Sequence, residues 1–225
     1  MSIIQAVILG AVQGLAEFIP VSSSGHLAIF EYLMDLPEVP VLFDVILHVC
    51  TLLVVIAVFR RRIWGMIVSL FRWIAGRKDE TDRENLRLIV LVLAATAVTG
   101  VVGYFVSRID LGSRPGIVSL LLAVTGGILI LTRGKKGTMG YGEMKIVHAL
   151  WIGAAQGIGV FPGISRSGIT ISASTLAGVE RERAGEFSFI LSIPAILGAL
   201  VLSLKDAESL SASVGIAPLA AGAVS

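Results

Sequence analysis

The sequence predicts an all-α, polytopic membrane protein built on an inverted-topology repeat, and three observations carry that expectation. Hydrophobic residues make up 55% of the 225 and charged residues only 15%, with a mean hydropathy of +0.89. Soluble domains usually hold roughly 45–50% apolar and roughly 25% charged residues. The apolar residues gather into runs close to the roughly 20 needed to cross a bilayer core, and a polar-marked pattern occurs once in each half of the chain. Disorder is excluded by the same numbers, and a formal charge of +2 on dispersed basic residues excludes a nucleic-acid surface. The single cysteine, Cys50, leaves no intrachain disulfide and no cysteine-based metal site.

Residues 2–36 come first. They are apolar enough to enter a membrane but are interrupted by Pro20 and by Ser22, Ser23 and Ser24. No basic region precedes them, and Gln13, Glu17 and Pro20 break the run, so they read as part of the fold and not as a cleaved leader. Residues 39–59 read as a complete span. Residues 62–77 mix Trp64, Phe71 and Trp73 with arginines and read as an amphipathic interfacial helix. Spans follow at 86–105 and about 116–132. Residues 145–179 are again apolar and again interrupted, at Pro162 to Gly168. A fourth span covers about 187–204, and a fifth begins at Gly215 and is incomplete at residue 225. The whole chain reads as one integral-membrane domain, with repeat one at about 1–106 and repeat two at about 114–225.

Lys and Arg set an expected orientation. Arg60, Arg61, Arg62, Arg72, Arg77, Lys78, Arg83 and Arg87 follow the first span, and Arg133, Lys135, Lys136 and Lys145 follow the third; the opposite side has Arg108, Arg114 and Lys205. The positive-inside rule makes loops 60–87 and 133–145 cytoplasmic.

Residues 10–25, GAVQGLAEFIPVSSSG, align without gaps to residues 153–168, GAAQGIGVFPGISRSG. Identities fall at Gly10/Gly153, Ala11/Ala154, Gln13/Gln156, Gly14/Gly157, Phe18/Phe161, Ser22/Ser165, Ser24/Ser167 and Gly25/Gly168. Three spans lie between the copies, so the second enters the membrane from the opposite face. Irregular backbone is tolerated at membrane depth only where protein shelters it, so two broken or re-entrant helix pairs are expected to meet near the midplane and build a ligand site. Glycine-mediated helix packing explains the small residues but not the matched serines.

Several side chains in these copies carry chemistry. Gln13 and Glu17 share a helix face, and an ionisable group inside a bilayer is a functional candidate by default. Ser22, Ser23 and Ser24 cap a second helix opening near Gly25, with His26 in its first turn. In the second copy, Ser165, Arg166, Ser167 and Gly168 form another capped helix start that carries a guanidinium. Two helix N-termini facing each other, with Arg166 between, describe a phosphate or diphosphate receptor; an Arg166–Glu17 ion pair joining the repeats is compatible with this. Gln156 mirrors Gln13 as a supporting residue. His48 could line the cavity or serve helix packing, and His148 lies near the interface. The acidic and mixed stretches at 79–82 and 180–183 read as solvated loop charge.

Three segments, QGLAEFIPVSSSGH (13–26), PGISRSG (162–168) and EFSFILSIPA (186–195), resemble the undecaprenyl-diphosphate phosphatase family, also called bacitracin-resistance proteins. The resemblance covers essentially the whole chain, although family members usually continue for a further span past residue 225. It implies hydrolysis of undecaprenyl diphosphate to undecaprenyl phosphate and inorganic phosphate, which recycles the carrier lipid of cell-wall synthesis and gives bacitracin resistance. It also implies a plasma-membrane site reached from the outer face. Gln13 and Glu17 fit its first motif, where they would hold Mg2+ or Ca2+, with base catalysis as the other role for Glu17. Ser22, Ser23 and His26 fit its serine and histidine positions, and Arg166 its arginine. Ser23 as nucleophile and water activated by His26 remain alternatives. The partners are a polyprenyl diphosphate and the bilayer, and a homodimer is compatible. The rival from another class is an alternating-access carrier or flippase of a polyprenyl phosphate.

Overall fold

The computed structural model describes residues 1–36, 39–77, 79–80, 82–204, 207, 210 and 213–225. Its helices are α1 (Ile3–Phe18), α2 (Ser23–Leu33), α3 (Val41–Val58), α4 (Arg60–Ile74), α5 (Asp82–Val106), α6 (Pro115–Thr132), α7 (Ile146–Ile158), α8 (Arg166–Leu176), α9 (Arg181–Ser203) and α10 (Ile216–Val224). Among the described residues no strand forms beyond one isolated bridge between Met139 and Val179. Helices α3, α5, α6 and α9 are long and apolar enough to cross a membrane. With the family membership reported below, they make this a multi-pass membrane protein. The 15-residue α4 is not one of these four; it leaves Trp64, Phe71 and Trp73 exposed, as an interfacial helix requires.

Both interrupted segments are helix, break, helix. At 16 and 13 residues, α1 and α7 are too short to cross a bilayer core. α1 opens on a capping box, with Gln5 N–H donating to Ser2 Oγ (3.2 Å) and Ser2 N–H to Gln5 Oε1 (2.8 Å), and Pro20 lies two residues beyond its end. α1 packs along α10, and α7 packs along α5. Glycine makes both contacts: a Cβ on Gly10 would collide with the Gly222 carbonyl, and one on Gly153 with the Ala95 carbonyl. Aligned positions of the two copies thus do the same packing work.

The core has two main clusters. Ala6, Leu9, Leu27, Leu42, Phe43 and Leu47 bury against Leu210 and Val214 in one, while Leu88, Leu91, Ile152, Phe187 and Leu191 bury together in the other, so each draws on both halves of the chain. Leu52, Val55 and Ile196 join the halves where α3 crosses α9. Removing any of the large side chains would cost about 2–5 kcal/mol.

One end of the molecule collects charge. Arg62 reaches Glu84 (2.9 Å) and Glu186 (2.7 Å), Arg183 reaches Glu84 (3.0 Å), and both guanidiniums lie 5.3 Å from the Tyr141 ring centroid. Arg87 donates to the Met144 carbonyl (2.6 Å). The two basic groups therefore share one end, and α5, α7 and α9 all start there. Two stretches expected to be solvated are partly built in. Asp82 is buried, accepting from Ser69 Oγ (2.7 Å) beside Arg72 (3.5 Å), because it opens α5 under α4. Arg183 belongs to the network just described, while Glu180, Arg181 and Glu182 are exposed, Glu180 beside Arg183 and Arg181 bonded to the Arg133 carbonyl. Lys78, Thr81 and Lys205 lie outside the described residues.

Candidate active site

The breaks of the two helix pairs cross each other. Ser22 caps α2 by accepting from Gly25 N–H (3.3 Å), and Ser165 caps α8 by accepting from Gly168 N–H (3.0 Å). Each cap serine also lies beside the hydroxyl two residues on, Ser22 with Ser24 (3.5 Å) and Ser165 with Ser167 (3.4 Å). A Cβ on Gly25 would sit 2.7 Å from Gly163 Cα, and one on Gly168 would sit 3.0 Å from the Pro20 carbonyl oxygen. In the sixteen-residue alignment Pro20 matches Gly163 and Gly25 matches Gly168, so the two close approaches exchange under the repeat. The Gly163 N–H donates to Ser22 Oγ (3.2 Å); the equivalent bond from position 20 is missing because proline has no N–H. Thr125 of α6 holds the second break, donating to the Gly163 carbonyl (2.7 Å) and accepting from Ser165 N–H (3.0 Å).

A cavity of about 540 Å³ opens at this crossing, lined by Glu17, Ser22, Ser23, Ser24, His48, Ser165, Arg166 and Ser167. Val41, Asp44, Ser107 and Ser203 also line it. These residues lie at or near the start of α3 and the ends of α5 and α9, so the cavity opens away from the charged end.

Glu17 is the hub. One carboxylate oxygen pairs with the Arg166 guanidinium. The other accepts from Ser23 Oγ (2.6 Å) and Gln13 Nε2 (3.1 Å), with His48 Nε2 at 3.5 Å. The carboxylate is 8% exposed and the Arg166 side chain 21%, so the charges compensate each other in a place that would otherwise expel both. Gln13 Nε2 also lies 3.4 Å from Thr51 Oγ1.

Ser22, the cap of α2, has φ 71°, a left-handed conformation that costs a non-glycine residue roughly 1–3 kcal/mol and collects at functional sites. It turns the chain so that Ser23 begins α2 with its hydroxyl on Glu17.

The two histidines divide differently from the sequence ranking. His26 Nδ1 is 2.7 Å from the Ser22 carbonyl on its own helix turn, and His26 does not line the cavity. His48 does: its Nδ1 is 2.8 Å from the Asp44 carbonyl and its Nε2 is 3.4 Å from Ser23 Oγ. A carbonyl only accepts, so His48 carries a proton on Nδ1, and that bond fixes the ring with Nε2 toward Ser23 and Glu17. The sequence left His48 between lining the cavity and serving helix packing, and the structure places it on the cavity wall. Sequence reasoning did pass over Asp44, in the same run, although a titratable group inside an apolar run was signal enough; its carboxyl faces that of Glu31 of α2. Gln156 is buried beside the cavity, donating to Thr99 Oγ1 (3.3 Å). His148 accepts from Lys145 N–H (3.2 Å) at the start of α7, at the charged end.

The residues suit a divalent cation in one particular way. Among the described residues no three His, Cys, Asp or Glu side chains converge as a cage. Gln13 Oε1, however, is a buried oxygen without a partner, and turning the amide would set it beside Glu17. One carboxylate and one amide oxygen fit Mg2+ or Ca2+ completed by water and substrate phosphates.

Helices long enough to cross a membrane, with a polar cavity sheltered among them, define a multi-pass membrane protein. The profile of the bacitracin resistance protein BacA family matches residues 6–225, and the chain belongs to that family. It is 48% identical to the undecaprenyl-diphosphatase of Treponema denticola over 100% of this chain and 84% of that protein. The undecaprenyl-diphosphatase of Desulfosudis oleivorans is 43% identical, covering 96% of this chain and 82% of its own. That of Borrelia hermsii is 38% identical, covering 91% and 77%.

Proposed function

We propose that this chain hydrolyses undecaprenyl diphosphate to undecaprenyl phosphate and inorganic phosphate. The observation that carries the reading is the Arg166–Glu17–Ser23 cluster at the crossed helix starts, in a chain of this family. The diphosphate head occupies the cavity, and the polyprenyl chain leaves between helices into lipid. The Lys and Arg excess puts the charged end in the cytoplasm of a plasma-membrane protein, so the cavity opens to the outer face.

Phosphoryl transfer requires mainly positioning and neutralisation of charge spread over three oxygens. Arg166 supplies a fork for those oxygens, and the free N–H groups at the starts of α2 and α8 add donors. On binding, phosphate takes the guanidinium from Glu17 and leaves the carboxylate as base. Ser23 already donates to it at 2.6 Å. Ser23 Oγ attacks the terminal phosphorus as its proton passes to Glu17. The bond from that phosphorus to the bridging oxygen breaks, and its electron pair leaves with undecaprenyl phosphate. Water then attacks the phosphoserine and the bond from phosphorus to Ser23 Oγ breaks; Glu17 returns its proton to that oxygen, and inorganic phosphate leaves with the oxygen of the water. His48 Nε2 is the second acceptor in reach. A cation held by Glu17 and Gln13 would add positive charge beside the phosphates when bound.

The test is phosphate release from undecaprenyl diphosphate by the purified protein, with and without chelator, followed by acid quench and a search for phosphoserine. Turnover and a phosphorylated Ser23 are expected. Full turnover by Ser23→Ala would remove the serine from the reaction and leave water as the attacking group, while movement of labelled lipid phosphate without hydrolysis would favour a carrier.

A further inference from the structure

A second cavity, of about 440 Å³, lies on the other side of the crossed breaks. It is a furrow between α6, α8 and α9, with Leu129, Ile130 and Ile171 along its walls, Arg133 and Arg181 at its mouth and Pro20 at its inner end. Arg133 follows the end of α6 and Arg181 opens α9, so the mouth is at the charged end. The active-site cavity opens at the other end, and the two share no lining residue.

The mouth is built from like charges. Arg181 Nη1 donates to the Arg133 carbonyl (2.9 Å), which draws the two residues together. Neither guanidinium is paired with a carboxylate among the described residues, although the nearby Arg183 is paired twice. Hydroxyls line the next level: Thr132 and Ser172 bond to each other across the furrow (2.9 Å). Beyond them the walls are aliphatic, and Ile130 is 69% exposed toward lipid. The order from mouth inward is cationic, hydroxylated, apolar, which complements a phosphate headgroup followed by a hydrocarbon chain. Basic pockets between membrane helices take anionic lipid headgroups by this chemistry.

We infer that the furrow is a lipid-phosphate site separate from the active site, holding the phosphate of an anionic lipid on Arg133 and Arg181 and its chain along Leu129, Ile130 and Ile171. Phosphatidylglycerol and a polyprenyl monophosphate present the same phosphate-and-chain chemistry, and the furrow is argued for that chemistry.

The experiment is native mass spectrometry of the full chain in detergent, titrated in separate arms with phosphatidylglycerol, phosphatidylcholine, undecaprenyl phosphate and glycerol phosphate. The Arg133→Gln/Arg181→Gln double variant is run beside it; both side chains are exposed, and an unchanged melting temperature verifies its fold. One phosphatidylglycerol or undecaprenyl phosphate is expected to stay bound, with roughly 25-fold weaker retention in the double variant, from about fivefold per arginine. Whichever of those two lipids is retained more strongly names the source. Equal retention of phosphatidylcholine, equal retention by the double variant, or equally tight binding of glycerol phosphate would each overturn the inference. Activity tests the other cavity and is read separately: a double variant that hydrolyses normally yet loses the bound lipid supports the furrow whatever the substrate.

Discussion

Glu17→Gln separates the two tasks assigned to one carboxylate. Glutamine keeps the size of the side chain and the bonds to Ser23 and Gln13, but Arg166 loses its counter-charge. In the parent the incoming phosphate must displace the carboxylate from that guanidinium. A hydrogen bond between charged groups contributes roughly 1.5–3 kcal/mol, so its removal should tighten phosphate binding roughly 10- to 100-fold. Loss of the base acts in the other direction on turnover, by roughly 10²- to 10⁴-fold in kcat. The assay is steady-state phosphate release from undecaprenyl diphosphate in detergent, with inorganic phosphate as the inhibitor. Tighter inhibition together with the fall in kcat is the expected signature. A kcat within threefold of the parent would refute the base. Weaker inhibition alongside a fall in kcat would refute the displacement step, since Glu17 would then be helping to hold the anion through a cation.

Histidine replacements are expected to separate by position: His48→Gln lowers kcat at least tenfold, while His26→Gln changes mainly thermal stability, and the reverse pattern would restore His26 to the chemistry. Gly163 has φ +98°, and an added Cβ would sit 2.6 Å from the Val118 carbonyl oxygen. Gly163→Ala should therefore cost at least about 2 kcal/mol and lower the melting temperature by about 5 °C or more, while Gly14→Ala, with open space at its Cβ, should change it little. Burial pushes the Tyr141 hydroxyl above its ordinary value, and the hydroxyl donates to the Arg183 carbonyl (2.9 Å). The folded state then binds more protons than the unfolded one once pH passes the unfolded value near 10, so stability falls as pH rises from there. Melting curves from pH 8 to 11 should show that fall, and Tyr141→Phe should reduce it.

Much of this was legible in the sequence for physical reasons. Apolar run length gave α3, α5, α6 and α9, because a bilayer sets the length of what crosses it. Serine caps and Pro20 gave the breaks, because those residues act on their own backbone. Glu17 and Arg166 stood out because charge in an apolar run needs a partner, and they prove to be each other's. The histidines were harder. His26 lies three residues from Ser23 in sequence but turns back to its own helix, while His48 is 25 residues away and arrives by the packing of α3 against α1. Asp82 was misjudged for a related reason: its cover comes from Ser69 and Arg72, on a different helix, and no local pattern announces it.

A Cβ on Gly25 would run into Gly163 and one on Gly163 into Val118 of α6, so neither glycine has room for a side chain where the two copies of the repeat touch. Elsewhere the copies have drifted: Glu17 faces a counterpart of Val160, and Ser23 one of Arg166. That drift is what lets one half contribute a carboxylate and a hydroxyl while the other contributes a guanidinium, a division that two identical copies could not support. A side chain at Gly25 or Gly163 would push the copies or α6 apart, so the distance between the carboxylate of one half and the guanidinium of the other is set by two residues that carry no chemistry at all.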